Sequence, residues 1–274
     1  MRLILNALGL LSLMALSHPA FSGNARIERN PKLPATAIHF EPAYLGETTG
    51  SSPKPHFRLL IPDFNDTVQQ QDMHVLQIRE ENSENFKTLM IDAGHEHRTR
   101  AKLLAFLKSH QISHIDEIYI THPHKDHYGG LYPLLESEVS IGLIVMNTPQ
   151  KDICDREKPW GCDFDDLMRL KALILGKGIA LKEMWLGEVK HPVQIHKDPH
   201  TEIQLIHASP PVTSYLGDMD INDLSLIMTV RVDRAHYLFT GDLNAPLSDY
   251  LAEREPDLGA DLLKAPHHGT EGTA

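Results

Sequence analysis

Only two of the 274 residues are cysteine, and no C-x-x-C pair occurs. That excludes a metal site built on thiolates, which needs paired cysteines or a cysteine beside histidine. Positive charge is also short: 26 Lys and Arg stand against 37 Asp and Glu, a formal charge of −11. Such a chain repels polyanions except where a metal or a local basic group intervenes. Stable nucleic-acid binding is therefore not expected, although an enzyme that cuts nucleic acid is not excluded. Long apolar runs are missing after the N-terminus. The one run, Leu3 to Leu16, has about fourteen residues and is too short to span a bilayer. Internal repeats and low-complexity tracts are absent, and no motif speaks to oligomeric state.

What is present begins with Met1-Arg2 ahead of that run, a break at Ser17-His18-Pro19, and small residues at Ala20 and Ser22. Together these predict a signal peptide over residues 1–22, cleaved after Ser22, and a mature chain in a secreted or periplasmic space with no membrane span. In an oxidising compartment Cys154 and Cys162, which flank a polar insert, are expected to pair. Residues 23–71 carry Pro31, Pro34, Pro42, Pro53, Pro55 and Pro62 and read as an irregular, proline-rich extension that packs over the domain with a few short strands. Residues 72–274 read as the domain proper. With 41% hydrophobic residues the chain can bury one large core.

Within that domain His74–Arg79 alternates as a strand and Phe86–Ile91 follows as another. The latter ends in Asp92-Ala93-Gly94, with His95 and His97 just beyond as residues able to line a cleft. Arg98–His110 has apolar residues at helical spacing, as does Phe164–Lys177, which Gly178 closes. Ile141–Met146, Ile179–Trp185, Val193–Ile195 and Ile203–Ile206 are further strands. This order predicts an α/β sandwich assembled from two halves.

The densest chemistry lies in Thr121-His122-Pro123-His124-Lys125-Asp126-His127-Tyr128-Gly129-Gly130, between the apolar Ile118–Ile120 and a short helix at Leu131–Glu136. Three imidazoles and a carboxylate within six residues are borderline ligands suited to zinc. His122 and His124 can converge on one ion, while Asp126 and His127 reach a second. Asp242 ends the strand Tyr237–Phe239, where a carboxylate can bridge two cations. His267 and His268 follow the strand at Leu262–Ala265. Asn222-Asp223-Leu224-Ser225 precedes another strand, with Asp223 as a candidate ligand.

The H-x-H-x-D-H run resembles the metallo-β-lactamase superfamily. The resemblance covers about Met73 to Thr270 and implies a four-layer αβ/βα sandwich with a one- or two-metal site at the sheet edges. The His-His-Gly and N-x-x-S-L runs are similar to ComEC-type hydrolase domains and their secreted relatives, including phosphorylcholine esterases. In that subgroup the second ligand position is usually Asp, where this chain has His124. A V-G-Q-G-D turn common there is replaced by residues 77–81. The resemblance implies two zinc ions and a hydroxide held between them. His122, His124 and Asp223 would hold the first ion, Asp126, His127 and His268 the second, and Asp242 both. Asp92 would support the ligand loop, Asp126 would share in catalysis, and His267 would donate a proton. The implied substrate is a small molecule or a phosphodiester. A β-lactamase or lactonase is the alternative, and a non-enzymatic module with an incomplete site is the other. The chain stops four residues after Thr270, where relatives continue through more strands and a helix. Either the sequence is a piece of a longer one or the sandwich closes differently.

Overall fold

Successive residues of a strand face opposite sides of a sheet, and in this chain both sides are apolar. Leu59, Leu76, Leu89, Ile91, Tyr119 and Val145 enter one core, while their neighbours Leu60, Val75, Met90, Ile118 and Ile144 enter another. A sheet of this kind must be covered on both faces.

The computed structural model describes residues 3–5, 38–40, 56–62, 72–79, 83–157, 161–184, 192–208, 220–255 and 257–269. Its strands are β1 (Leu3–Leu5), β2 (Ile38–Phe40), β3 (Phe57–Ile61), β4 (His74–Arg79), β5 (Phe86–Ile91), β6 (His114–Tyr119), β7 (Ser140–Met146), β8 (Ala180–Glu183), β9 (Val193–Lys197), β10 (Thr201–His207), β11 (Ile227–Val232), β12 (Ala235–Phe239) and β13 (Leu262–Lys264). The helices are α1 (Glu96–Ser109), α2 (Lys125–Tyr128), α3 (Leu131–Leu135), α4 (Lys151–Cys154), α5 (Phe164–Gly176) and α6 (Ala245–Arg254).

A seven-stranded sheet runs β2-β3-β4-β5-β6-β7-β8, antiparallel as far as β5 and parallel beyond it. A six-stranded sheet runs β1-β13-β12-β11-β10-β9, antiparallel among β9–β12 and parallel among β12, β13 and β1. Three cores mark the interfaces of four layers. Leu103, Phe106 and Leu107 of α1, Leu131 and Leu134 of α3, and Leu167, Leu170 and Ile174 of α5 cover the outer face of the larger sheet. Tyr119 and Val145 meet Met228, Phe239 and Leu205 between the sheets. Leu247 and Leu251 of α6 cover Ile227 and Leu238 on the outer face of the smaller one. Each such fully buried aliphatic side chain contributes about 1.5–3 kcal/mol. This is a four-layer αβ/βα sandwich.

Three strands fall before the start of the domain read from sequence. Leu3–Leu5, within the expected signal peptide, form β1 and pair in parallel with Leu262–Lys264. Ile38–Phe40 and Phe57–Ile61, both within the extension, are short strands of the kind expected there; they pair antiparallel with each other, and β3 pairs antiparallel with β4. The cleavage site at 20–22 and most of the extension lie outside the described residues. α6 was not anticipated; Asn244 and Pro246 mark its start, but its apolar residues are few. α5 ends as its sequence predicts, with Gly178 at φ +73 just past the end, and at its start Asp163 accepts the Asp166 N–H.

Candidate metal centre

The parallel strands β5, β6 and β7 of one sheet and β12 and β13 of the other all end at one edge of the sandwich, where their following loops converge. The antiparallel β4 and β11 begin at that edge, which adds Asp72 and Ser225. Side chains from seven segments thus meet without any strand leaving its sheet.

The loop after β5 anchors the ligand run. Asp92, at φ +58, accepts the Thr121 N–H at 2.7 Å and the Thr121 hydroxyl at 2.9 Å, and its Oδ2 lies 2.9 Å from His127 Nδ1. This is the supporting role expected of it, and it turns His127 Nε2 inward. Gly130 passes so close to the same loop that a Cβ would sit 1.9 Å from the Ala93 carbonyl oxygen, so only glycine fits. The other sheet is stitched in by the Leu226 N–H, which donates to the Thr121 carbonyl at 2.8 Å. Ser225 accepts the Asp242 N–H at 3.1 Å and lies 3.5 Å from His122 Nδ1. Gly241, at φ +53, lets the chain pass: a Cβ there would meet Ser225 Oγ at 2.6 Å.

Asp242 is the hub. Its Oδ2 lies 3.0 Å from His268 Nε2, 3.1 Å from His127 Nε2 and 3.8 Å from His122 Nε2. Asp126 Oδ2 is 3.2 Å from His268 Nε2 and 3.9 Å from His127 Nε2. On the other side His122 Nε2 and His124 Nδ1 approach to 3.0 Å. The structure thus brings together His122, His124, Asp126, His127, Asp242 and His268. Asp72, His127, Asp242 and His268 each offer one ligand atom within 4.8 Å of the others, a buried group that could hold a metal ion. His268 Nε2 is close to two carboxylates but completes no hydrogen bond with either. Short approach without hydrogen-bond angles fits groups that share a cation.

Charge makes the same point. Asp72, Asp92 and Asp242 are buried carboxylates, and uncompensated burial of such groups is costly. Burial opposes a charged His127, but Asp242, Asp92 and Asp126 hold it well above its ordinary pKa. Burial likewise opposes a charged His268, and Asp72, Asp126 and Asp242 hold it up to about 9. His122, dominated by burial and by its neighbour His127, is pushed well below the usual range. A metal ion entering this group would take the place of those protons.

Three participants stand in no recognisable motif. Asp72 precedes β4 in no motif. Lys264 is buried in β13, with its ammonium 3.1 Å from Asp242 Oδ1, paired with Asp72, and donating to the Gly241 carbonyl at 2.7 Å. A lysine within the otherwise apolar Leu262-Leu263-Lys264-Ala265 was the available hint of a buried anion. Glu157 lies in the cysteine-flanked insert, fully buried, with Oε1 3.4 Å from His124 Nε2. The Cys154–Cys162 disulfide forms as expected, with Cα atoms 5.1 Å apart, and closes the loop that presents it. A loop this short adds about 2–3 kcal/mol by restricting the unfolded chain.

The remaining expected residues lie at the margin. His267 and His268 take φ +43 and +56, left-handed conformations unusual for non-glycine residues and typical of functional turns. The turn sends His268 to Asp242 and leaves His267 beside Asn222, whose Nδ2 is 3.5 Å from His267 Nε2. Asp223 is not brought to the group. The short helical turn Ile221–Leu224 aims it at Asn244, whose Nδ2 is 3.5 Å from its Oδ1. Burial and neighbouring Asp220 push it up to about 7. A carboxyl raised in the folded state stabilises most below its unfolded value of 3.8, and that contribution is lost as pH rises through about 7. Asp223→Asn is therefore expected to change stability little at pH 4 and to add about 1–3 kcal/mol at pH 8, measured by urea unfolding. A drop in metal content instead would restore Asp223 as a ligand.

Fold and site together define a four-layer αβ/βα sandwich with a buried group able to hold a metal. The chain is similar to several known proteins. The family model described as "Anti-Pycsar protein Apyc1" matches residues 80–139. ComE operon protein 3 of Bacillus subtilis (strain 168) is 26% identical over 171 residues, 62% of this chain. The chain spans about a fifth of that relative, 19% of its length. Among solved structures, a B3 metallo-beta-lactamase with an active site glutamic acid is similar at 16% identity and TM-score 0.45, over 77% of this chain and 76% of that one. Human tRNase Z, short form, is similar at 16% identity and TM-score 0.40, over 69% of each chain.

Proposed function

We propose that this chain is a secreted, zinc-dependent hydrolase of phosphoesters or phosphodiesters that works with two ions. The observation that carries the reading is the Asp242 carboxylate set among His268, His127 and His122 at 3.0–3.8 Å. His122 Nε2 and His124 Nδ1 would hold one ion; Asp126, His127 and His268 would hold the other, with Asp242 shared. Asp223 is left out because its carboxylate faces Asn244. Zinc bound there would supply Lewis acidity and a nucleophilic water at neutral pH.

The chain's own groups do the rest. Lys264 neutralises part of the carboxylate charge and holds Asp242 by its second oxygen. His267, whose Nε2 lies 3.5 Å from Asn222 Nδ2, can hydrogen-bond a developing oxyanion as the neutral ring and can give a leaving oxygen its proton as the imidazolium. The His-His-Gly run favours phosphate chemistry over lactam hydrolysis. Export is supported by the N-terminal charge and apolar run and by the disulfide. Among the described residues no helix is long and apolar enough to cross a membrane.

Turnover of bis-p-nitrophenyl phosphate that is lost with chelator and restored by zinc is the expected result. Turnover of nitrocefin in its place selects the lactamase alternative, and zinc binding without turnover of esters, lactams or thioesters removes the enzymatic claim. Glu157→Ala should weaken binding of one ion by about 10–100-fold, as loss of a carboxylate that orients a ligand histidine does. A zinc titration against a chelator measures it, and Glu157→Gln, which keeps an acceptor, should recover part of the loss.

A further inference from the structure

At the edge of the sandwich opposite the metal centre, side chains from three segments meet. His56 directly precedes β3 of the larger sheet, while His200 and Asp233 lie in the β9–β10 and β11–β12 turns of the smaller one. The strand registers place them there: Phe57 pairs with Ile78 at the far end of β4, and Thr201 pairs with Val232 at the far end of β11. His200 Nδ1 is 2.9 Å from Asp233 Oδ1, and His56 Nε2 is 3.5 Å from Asp233 Oδ2. The two rings lie 4.6 Å apart. One ligand atom from each of the three falls within 4.8 Å of the other two.

We propose that His56, His200 and Asp233 form a second, independent metal site that takes a transition-metal dication such as zinc. Two imidazoles and one carboxylate are the ligand set such ions prefer, whereas calcium and magnesium favour all-oxygen shells. The backbone holds the set in place. The Asp233 N–H donates to the His200 carbonyl at 2.7 Å, tying the two turns to each other. Asp198 accepts the N–H groups of His200 and Thr201 at 2.8 and 2.6 Å, fixing the turn that presents His200. On the other sheet the His56 carbonyl accepts the Arg79 N–H at 2.7 Å. His200 and Asp233 are partly exposed, so water completes the coordination. An ion here joins the two sheets at the edge that the metal centre does not reach, and it stabilises the fold by binding only the native arrangement.

Zinc titration of metal-free wild type, His200→Ala and Asp233→Asn tests this, with bound zinc counted by mass spectrometry and thermal unfolding followed on the same samples. Asp233 sits at φ +51, which Asn also tolerates, so the turn survives that change. Wild type should hold one more zinc per chain than either variant. At a hundredfold excess over the dissociation constant, its Tm should rise about 5–10 °C more than theirs. The count is a difference between proteins that share the buried centre, so it is readable whatever that centre holds. Equal zinc content and equal zinc-dependent Tm in wild type and both variants would overturn the proposal.

Discussion

Under the function proposed above, Asp242→Ala is expected to lower turnover by roughly 10³-fold or more and to lose at least one bound metal ion. Among the described residues no other side chain can replace it, because its Oδ2 alone stands within 3.8 Å of imidazoles from both halves of the ligand set. The loss should be local. Asp242 lies past the end of β12, whose pairing with β11 and β13 involves none of its atoms. Lys264 keeps Asp72 and the Gly241 carbonyl as partners. Far-ultraviolet circular dichroism should therefore change little while metal content falls. Two ions retained at wild-type affinity would show that Asp242 bridges nothing.

Substitution of the paired histidines should separate a ligand from a proton donor. His268 reaches Asp242 and Asp126 at 3.0 and 3.2 Å, so His268→Ala should be metal-deficient and regain part of its rate in excess zinc. His267 lies beside Asn222 instead, so His267→Ala should keep its metal and slow the chemical step, by about 10²–10⁴-fold for loss of a general acid. That deficit should shrink on p-nitrophenolate esters, whose leaving group needs no proton. The opposite pattern would exchange the two roles. Equal metal loss in both variants would make the pair one structural unit and move the acid elsewhere.

Much of this site is legible in the chain because it is local. His122 to His127 lie on one strand-to-helix turn, and Asp92, Asp242 and His268 each follow an apolar strand. The sequence alone therefore shows where each candidate ligand leaves its sheet. The same alternation of apolar residues that fills two cores at once is enough to call for helices outside a pair of sheets. The disulfide, too, needs only a short loop and an oxidising destination.

Tertiary structure alone decided the partners that no periodicity records. Asp72 and Lys264 stand far apart in sequence yet pair inside the centre, because β4 starts at the edge where β13 ends. Glu157 reads as one charge in a polar insert until the closed loop buries it against His124. Asp223 looks like a ligand by its position in a motif, but the direction of one helical turn gives it to Asn244. Spacing along the chain predicts which residues share a turn. Which turns share an edge depends on how the strands are ordered and how the two sheets face each other, and those follow from long-range packing. His127 and Asp242, 115 residues apart, meet for that reason.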